Sequence, residues 1–306
     1  MYINGFGVPR DYAHGFAFFR QAADQGNANA EEMIGLMYDT GSGMRRDVAQ
    51  AMAWYRKAAD QGFAGAQIDL AKHYFNGDGV PKDYQQAMYW ARKAADQGNA
   101  DAQVMLGFLY YHGLGIAQDY TQALKWYRAA ADQGDAGAET KVGTIYSQGN
   151  GVPKDDAQAD VWYRKAAEQG FPSAQNILAM AYVNGTGVSK DYAEAMLWFK
   201  KSAAQGDAEG TMYVGQMYRD GLGVQQDYFE ALIWYRTAAD KGFKTAQERL
   251  DELEQYIHER IPAALAVRCT LEGAPPIWKA RDAKVAMKLY DDCLQRNFKR
   301  LGVAFQ

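Results

Sequence analysis

Cysteine is nearly absent: the 306 residues hold two, Cys269 and Cys293, both near the C-terminus. Without others, no disulfide framework and no C-x-x-C redox or zinc motif organises the rest of the chain. The usual signatures of a catalytic centre are missing as well, with no G-x-S-x-G and no H-E-x-x-H. No stretch approaches the roughly 20 consecutive apolar residues of a membrane span. Nor is there a large charge excess. The net charge is −4, and it is unevenly spread: residues 255–306 hold nine Lys/Arg against five Asp/Glu, the remainder 24 against 32. An acidic body is a poor general ligand for phosphate backbones, and the short basic tail is studded with apolar residues, as a folded cap would be. Neither a nucleic-acid partner nor a cofactor is expected.

What the chain does have is a period. Glycines 26, 62, 98, 134, 170, 206 and 242 are each 36 residues apart, and most close the phrase Ala-Ala-Asp-Gln-Gly, as at 22–26, 58–62, 94–98 and 130–134. Trp54, Trp90, Trp126, Trp162, Trp198 and Trp234 share one slot of the period, leaving only Trp278 outside. A fixed period of this length marks a solenoid whose units stack on their neighbours. Within residues 27–62, Ala30, Met33, Ile34, Met37 and Tyr38 follow the i, i+3, i+4, i+7, i+8 spacing of one helix face; this is helix A. Gly41-Ser42-Gly43 then ends it, and the Gly-x-Gly pair returns in every unit, so glycines 43, 79, 115, 151, 187 and 223 are expected at positive φ. Aspartates at 47, 83, 119, 155, 191 and 227 are followed three residues later by Gln or Glu, the spacing of a capping box in which the Asp accepts from the backbone and the Gln/Glu reaches back. Helix B starts there, buries Ala51, Trp54, Tyr55 and Ala58, and ends at Gly62. The expected unit is two antiparallel helices joined by a glycine loop, with no strand.

These residues resemble the Sel-one-like repeat (SLR) family, relatives of the tetratricopeptide repeat with a longer A–B loop. The matching patterns are Leu106-Gly107-x-x-Tyr110, Gly149-x-Gly151-Val152, and Trp162-Tyr163-x-Lys165-Ala166-Ala167. The resemblance implies an all-α, right-handed α/α superhelical solenoid that serves as a non-enzymatic scaffold for protein–protein contacts, often bacterial and often exported. Its expected extent is residues 1–254, about seven repeats with the first truncated, followed by C-terminal capping helices at 255–306. Met1-Tyr2 aligns with Met37-Tyr38, so an upstream segment with at least one helix is expected. Departures from the pattern occur at Gly15, Phe18 and Phe19, at Glu254 in the tyrosine slot, and at Asp69, His73 and Lys141 in slots apolar elsewhere. The array also lacks the cysteine pair that some relatives carry in each repeat.

By analogy with tetratricopeptide repeats, helix A lines the inner, concave surface. There the frame stays fixed and the residues vary. The slot after the tyrosine reads Asp39, Phe75, Tyr111, Ser147, Val183, Arg219. The slot after Leu-Gly reads Leu36, Lys72, Phe108, Thr144, Met180, Gln216. The slot two before the Leu reads Glu32, Ile68, Val104, Thr140, Asn176, Met212. From these we take Lys72, Phe75, Val104, Phe108, Tyr111, Met180, Val183 and Arg219 as the candidate partner-binding set, since apolar clusters and aromatic anchors mark interfaces; packing between neighbouring A helices is the competing reading.

Other chemistry is less persuasive. Asp69 and His73 at i, i+4 offer two metal ligands, but a local hydrogen bond between them is the expected arrangement. The Gly-x-Gly loops follow a helix rather than a strand, unlike phosphate loops. In the tail, a helix is expected from about Trp278 to Arg300 after Pro275-Pro276. Cys269 and Cys293 flank that turn and are expected to form a disulfide, with two free thiols as the alternative. A disulfide favours an exported or periplasmic location, with a cytoplasmic one as the alternative. The expected partner is a protein or peptide. An inhibitor or immunity protein occluding a toxin enzyme is the narrower alternative, an envelope protein a further candidate partner, and an enzyme with a site in the tail or near Asp69/His73 the rival of another class.

Overall fold

The computed structural model describes residues 11–260, which form fourteen helices and, among the described residues, no strand. They are α1 (Tyr12–Ala23), α2 (Ala28–Thr40), α3 (Val48–Asp60), α4 (Ala64–Asn76), α5 (Tyr84–Ala95), α6 (Ala100–His112), α7 (Tyr120–Ala131), α8 (Ala136–Gln148), α9 (Asp156–Glu168), α10 (Pro172–Asn184), α11 (Tyr192–Ala204), α12 (Ala208–Asp220), α13 (Tyr228–Ala239) and α14 (Lys244–Arg260). Even numbers are A helices and odd numbers B helices; from α1 to α8, and again from α10 to α14, each helix packs on the one that follows it. The result is an all-α solenoid. The chain divides into two compact units, Met1–Trp162 and Tyr163–Gln306. The expected terminal cap, the helix from Trp278 and the pairing of Cys269 with Cys293 lie outside the described residues.

The loop glycines behave as their spacing predicts. All six second glycines of the Gly-x-Gly pairs have φ between 69° and 77°, and the first glycines are left-handed C-caps of the A helices. Gly115 shows why the second cannot carry a side chain: besides its φ of 74°, an added Cβ would lie 2.7 Å from the Tyr84 backbone, where the loop lies against the start of the preceding repeat's helix B. Gly107, inside α6, is small for a different reason. Its Cβ would meet the Tyr127 ring at 2.7 Å, so the glycine lets the B-helix tyrosine press against helix A.

The capping box is only half formed. Each aspartate does accept from the N3 amide, as in Gln122 N to Asp119 Oδ1 at 2.9 Å. The reach back by the Gln/Glu does not follow, because the amide it would accept from is already used: Asp119 N donates to Tyr110 O at 3.0 Å, and Asp47, Asp83, Asp155, Asp191 and Asp227 repeat this bond to Tyr38, Tyr74, Tyr146, Tyr182 and Tyr218. The aspartate thus starts helix B and pins the loop to helix A.

Two ladders join successive repeats. In one, the glutamine before a repeat's closing glycine bonds a helix A side chain 30 residues earlier, Glu31 for Gln61 and a glutamine for Gln97 and Gln133. Gln97 donates to Gln67 Oε1 and Gln133 to Gln103 Oε1, each at 2.8 Å, while Gln67 and Gln103 donate to the carbonyls of Ala59 and Ala95 on the preceding B helix. In the second unit Gln205 and Gln175 do the same, and Lys241, which replaces the glutamine, reaches Gly206 O. In the other ladder, Arg20, Arg56 and Arg92 lie 4.7–4.9 Å over the rings of Trp54, Trp90 and Trp126 in the next repeat. Arg56 and Arg92 also donate to the hydroxyls of Tyr74 and Tyr110. Glu254, the departure in the tyrosine slot, keeps this partnership as an ion pair: Arg236 lies 2.6 Å from its Oε1.

Candidate partner-binding face

Helix B is enclosed along its tryptophan side; Trp90 is 1% exposed and Trp54, Trp126, Trp162 and Trp198 are buried, with Trp234 half-buried. Helix A turns a different stripe to solvent. In α6 this stripe runs Asp101, Met105, Phe108, His112, a spacing of four, three and four that brings the residues onto one side. The equivalent stripe on α4 is Asp69, Lys72 and Asn76, and on α8 Lys141, Thr144 and Gln148.

Of the three variable slots, the one after Leu-Gly lies on this face: Leu36 and Lys72 are exposed, Phe108 and Met180 half-buried. The slot after the tyrosine lies at its edge, where Phe75, Tyr111, Val183 and Arg219 are all half-buried. The third slot is a seam. Ile68, Thr140, Asn176 and Met212 are buried, and Val104 is half-buried against the first unit's core. A residue two before the Leu points toward the neighbouring helices rather than out, one register away from the open stripe. Asp101, Met105, His112, Gln148 and Tyr213 fall outside the three slots, and a period of 3.6 traced from Phe108, Thr144 and Gln216 includes them.

In the first unit the aromatic members meet edge to face. Phe75 and Phe108 have centroids 5.7 Å apart at 72°, and Phe75 also meets Tyr84 at 5.4 Å. Phe108 continues to His112 at 4.3 Å, His112 to Tyr111 at 5.0 Å, and Tyr111 to Tyr120 at 5.1 Å. Tyr111 is held from the next repeat, its hydroxyl donating to Gln148 Oε1 at 2.8 Å and receiving Asn150 Nδ2 at 3.3 Å. These rings are not free-standing. They pack on the core cluster while keeping part of their surface open.

Beside the rings lies a polar region. Lys72 pairs with Asp101 at 2.9 Å. Burial holds the Asp69 carboxyl above the usual aspartate range, against the pull of Lys72 and His73. Glu32 is raised by burial and then by Asp69, and burial pushes the Tyr55 hydroxyl well up, with Asp69, Asp39 and Glu32 adding to it. The expected Asp69–His73 bond is not the one formed. His73 turns to Asp39 and Asp78 instead, with Nε2 3.3 Å from Asp39 Oδ2 and Nδ1 3.0 Å from Asp78 O. Asp69 and His73 lie one helical turn apart on α4, but His73 is buried and already engaged by Asp39 and Asp78, while Asp69 is half-buried. Asp39, His73 and Asp78 offer three ligand atoms within 4.8 Å of one another, the geometry of a cation site. Arg46 already supplies a cation: Nη2 is 2.6 Å from Asp78 Oδ2 and 3.2 Å from Asp39 Oδ1, and Nε donates to Asp39 O at 2.6 Å.

In the second unit Met180 and Val183 lie on α10, half-buried. Arg219 pairs with Asp220 at 2.7 Å, which raises the guanidinium further above its ordinary value, and both line an open cleft of about 350 Å³ with Gln226, Tyr228, Glu252, Leu253 and Tyr256. No described helix is long and apolar enough to cross a membrane.

Comparison with known proteins agrees with this architecture. The chain is similar to the crystal structure of a protective antigen present in uropathogenic Escherichia coli strains and displaying an SLR fold, at 33% identity and TM-score 0.78; the match covers 96% of this chain and 59% of that one. It is also similar to a Sel1 repeat protein from Oxalobacter formigenes, at 38% identity and TM-score 0.64, over 69% of this chain and 85% of that one. No curated protein matches. The Sel1 repeat model matches seven times, at residues 1–27, 28–63, 64–99, 100–135, 136–171, 172–207 and 208–243, and the chain belongs to the Sel1-repeat family.

Proposed function

We propose that the protein is a non-enzymatic scaffold that takes a polypeptide partner on the open stripe of its A helices, with Phe75, Phe108 and Tyr111 as anchors. Sel1-repeat proteins generally mediate protein–protein interaction, and their fold is a typical scaffold rather than a catalytic one. The observation that carries the reading is the run of contacting rings centred on α4 and α6, most of them edge to face. They are packed firmly enough to be preorganised and open enough to be covered, and rigid aromatic groups commonly dominate interface energetics. Met180, Val183 and Arg219 supply a second, aliphatic and charged stretch in the other unit.

A photo-crosslinking residue placed at Phe108 or His112 tests this in the native host, with one at Tyr89, 49% exposed on helix B, as control. A discrete crosslinked polypeptide from the A positions alone is the expected result. Equal capture from Tyr89 would remove the assignment of the face. A captured toxin enzyme would select the narrower reading as an occluding inhibitor.

A further inference from the structure

The first unit's A face pairs its rings with carboxylates, and the carboxylates differ in how they are satisfied. Asp101 has Lys72, and Asp39 and Asp78 share Arg46. Asp69 and Glu32, from adjacent A helices, have neither an ion pair nor a hydrogen bond among the described residues. Both are half-buried, and Glu32 lies with Oε1 over Gly65, where a Cβ would clash. Burial penalises the charged form of each; Asp69 raises Glu32 further, and Asp39 and Asp101 oppose the ionisation of Asp69 against the pull of Lys72 and His73. Neighbouring repeats offer a contrast. Where Asp69 stands, other units carry Met33, Met105, Lys141, Ile177 and Tyr213, so the carboxylate is particular to this unit. The residues next along the face are Lys72 and then Phe75 and Phe108.

We infer that the partner segment held by this face is cationic and apolar in alternation: a Lys or Arg side chain placed against Asp69 and Glu32, and a neighbouring aromatic or large aliphatic side chain placed on Phe75 and Phe108. This rests on the proposed function and adds the chemistry of the occupant. A guanidinium or ammonium arriving between the two carboxylates relieves their mutual repulsion and supplies the donors that neither now has. The surplus of acidic residues in 1–254 acts in the same direction at longer range, since a negatively charged body raises the encounter rate of a positive segment. An acidic segment would meet repulsion at Asp69 and Glu32, which have no ion-pair partner of their own among the described residues, so the same surface disfavours the opposite charge.

The test is selection of a random twelve-residue peptide library on the full-length protein, followed by fluorescence anisotropy of the recovered peptides against the wild type and two variants. One variant is Glu32→Gln with Asp69→Asn; the other is Phe75→Ala with Phe108→Ala. Melting of each variant is measured alongside, so that unfolding is not mistaken for lost binding. The expected result is enrichment of Lys or Arg beside an aromatic or aliphatic residue. Affinity should fall about tenfold or more in the Gln/Asn variant, whose melting stays at or above the wild type, and should weaken from about 50 to about 300 mM salt. Peptides that need Phe75 and Phe108 but show no basic enrichment, or bind the Gln/Asn variant equally, would overturn the charge assignment and leave the scaffold reading standing. Recovery of no peptide sensitive to Phe75 and Phe108 would overturn both.

Discussion

The B-helix layer and the A-helix face are built from the same number of units, yet one repeats and the other does not. On the B side, tryptophan, arginine and glutamine recur at 36-residue spacing because each touches its counterpart in the next repeat. Arg56 covers Trp90 and Arg92 covers Trp126; Gln97 meets Gln67 and Gln133 meets Gln103. A change in one unit would break contacts on both sides of it, so the period is enforced by packing. On the A face the residues of one unit meet solvent as much as each other. Asp69, Met105 and Lys141 stand in the same slot without disturbing the frame. Repetition marks what holds the array together, and its absence marks what is left over for recognition.

That contrast yields a ranked set of substitutions. The largest effect is expected at the B layer: Trp90→Ala should cost about 3–5 kcal/mol, read by chemical denaturation. Trp234→Ala, at the half-buried member of the series, should cost clearly less. Equal losses would mean that the layer does not depend on enclosure of the ring. Next come the glycines. Gly115→Ala combines a left-handed φ with a clash at the Tyr84 backbone, whereas Gly98→Ala, at φ 89°, meets nothing within 4 Å and carries only the conformational penalty of about 1–2 kcal/mol. The first should exceed the second; a reversal would show that the loop does not need its close approach. Asp119→Ala removes a cap and should cost about 1 kcal/mol, leaving the loop tie from residue 119's amide in place.

Much of this was legible in the chain. Helices, loop glycines and the buried B stripe follow from spacing alone, because each is a local consequence of backbone geometry repeated six or seven times. The Lys241 and Glu254 replacements became intelligible only with the ladders in view, since their partners lie on other elements: Gly206, about one repeat away, for Lys241, and Arg236, half a repeat away, for Glu254. The candidate face was legible in part. Phe108 and Lys72 fall on the open stripe, and Phe75 and Tyr111 at its edge, but Ile68, Thr140, Asn176 and Met212 are buried. A helix periodicity gives the angle between residues and leaves open which angle faces a neighbour. His73 shows the same limit: i, i+4 spacing suggested Asp69, while its actual neighbours come from α2 and the α4–α5 loop.

The smallest expected effect has an inverted sign, and it sharpens the comparison from the A side. Asp69→Asn should raise stability at neutral pH. An acid whose folded pKa is raised above the unfolded value binds more protons when folded, so its ionisation opposes folding as pH rises through that window. The opposition is absent below the ordinary value near 3.8, grows above it, and is complete above the raised folded value. An asparagine of the same shape does not ionise. The variant should therefore melt higher than the wild type at about pH 7, and the gap should close as pH falls toward about 4. Lys72 and His73 favour the charged form of Asp69, while Asp39 and Asp101 oppose it, so the advantage will be modest. A gap independent of pH, or a variant less stable at neutral pH, would mean that Asp69 is satisfied in the free protein. A confirmed gap would instead identify a residue that weakens the fold where the B layer has none to spare, as expected of a carboxylate whose counter-charge arrives with a partner.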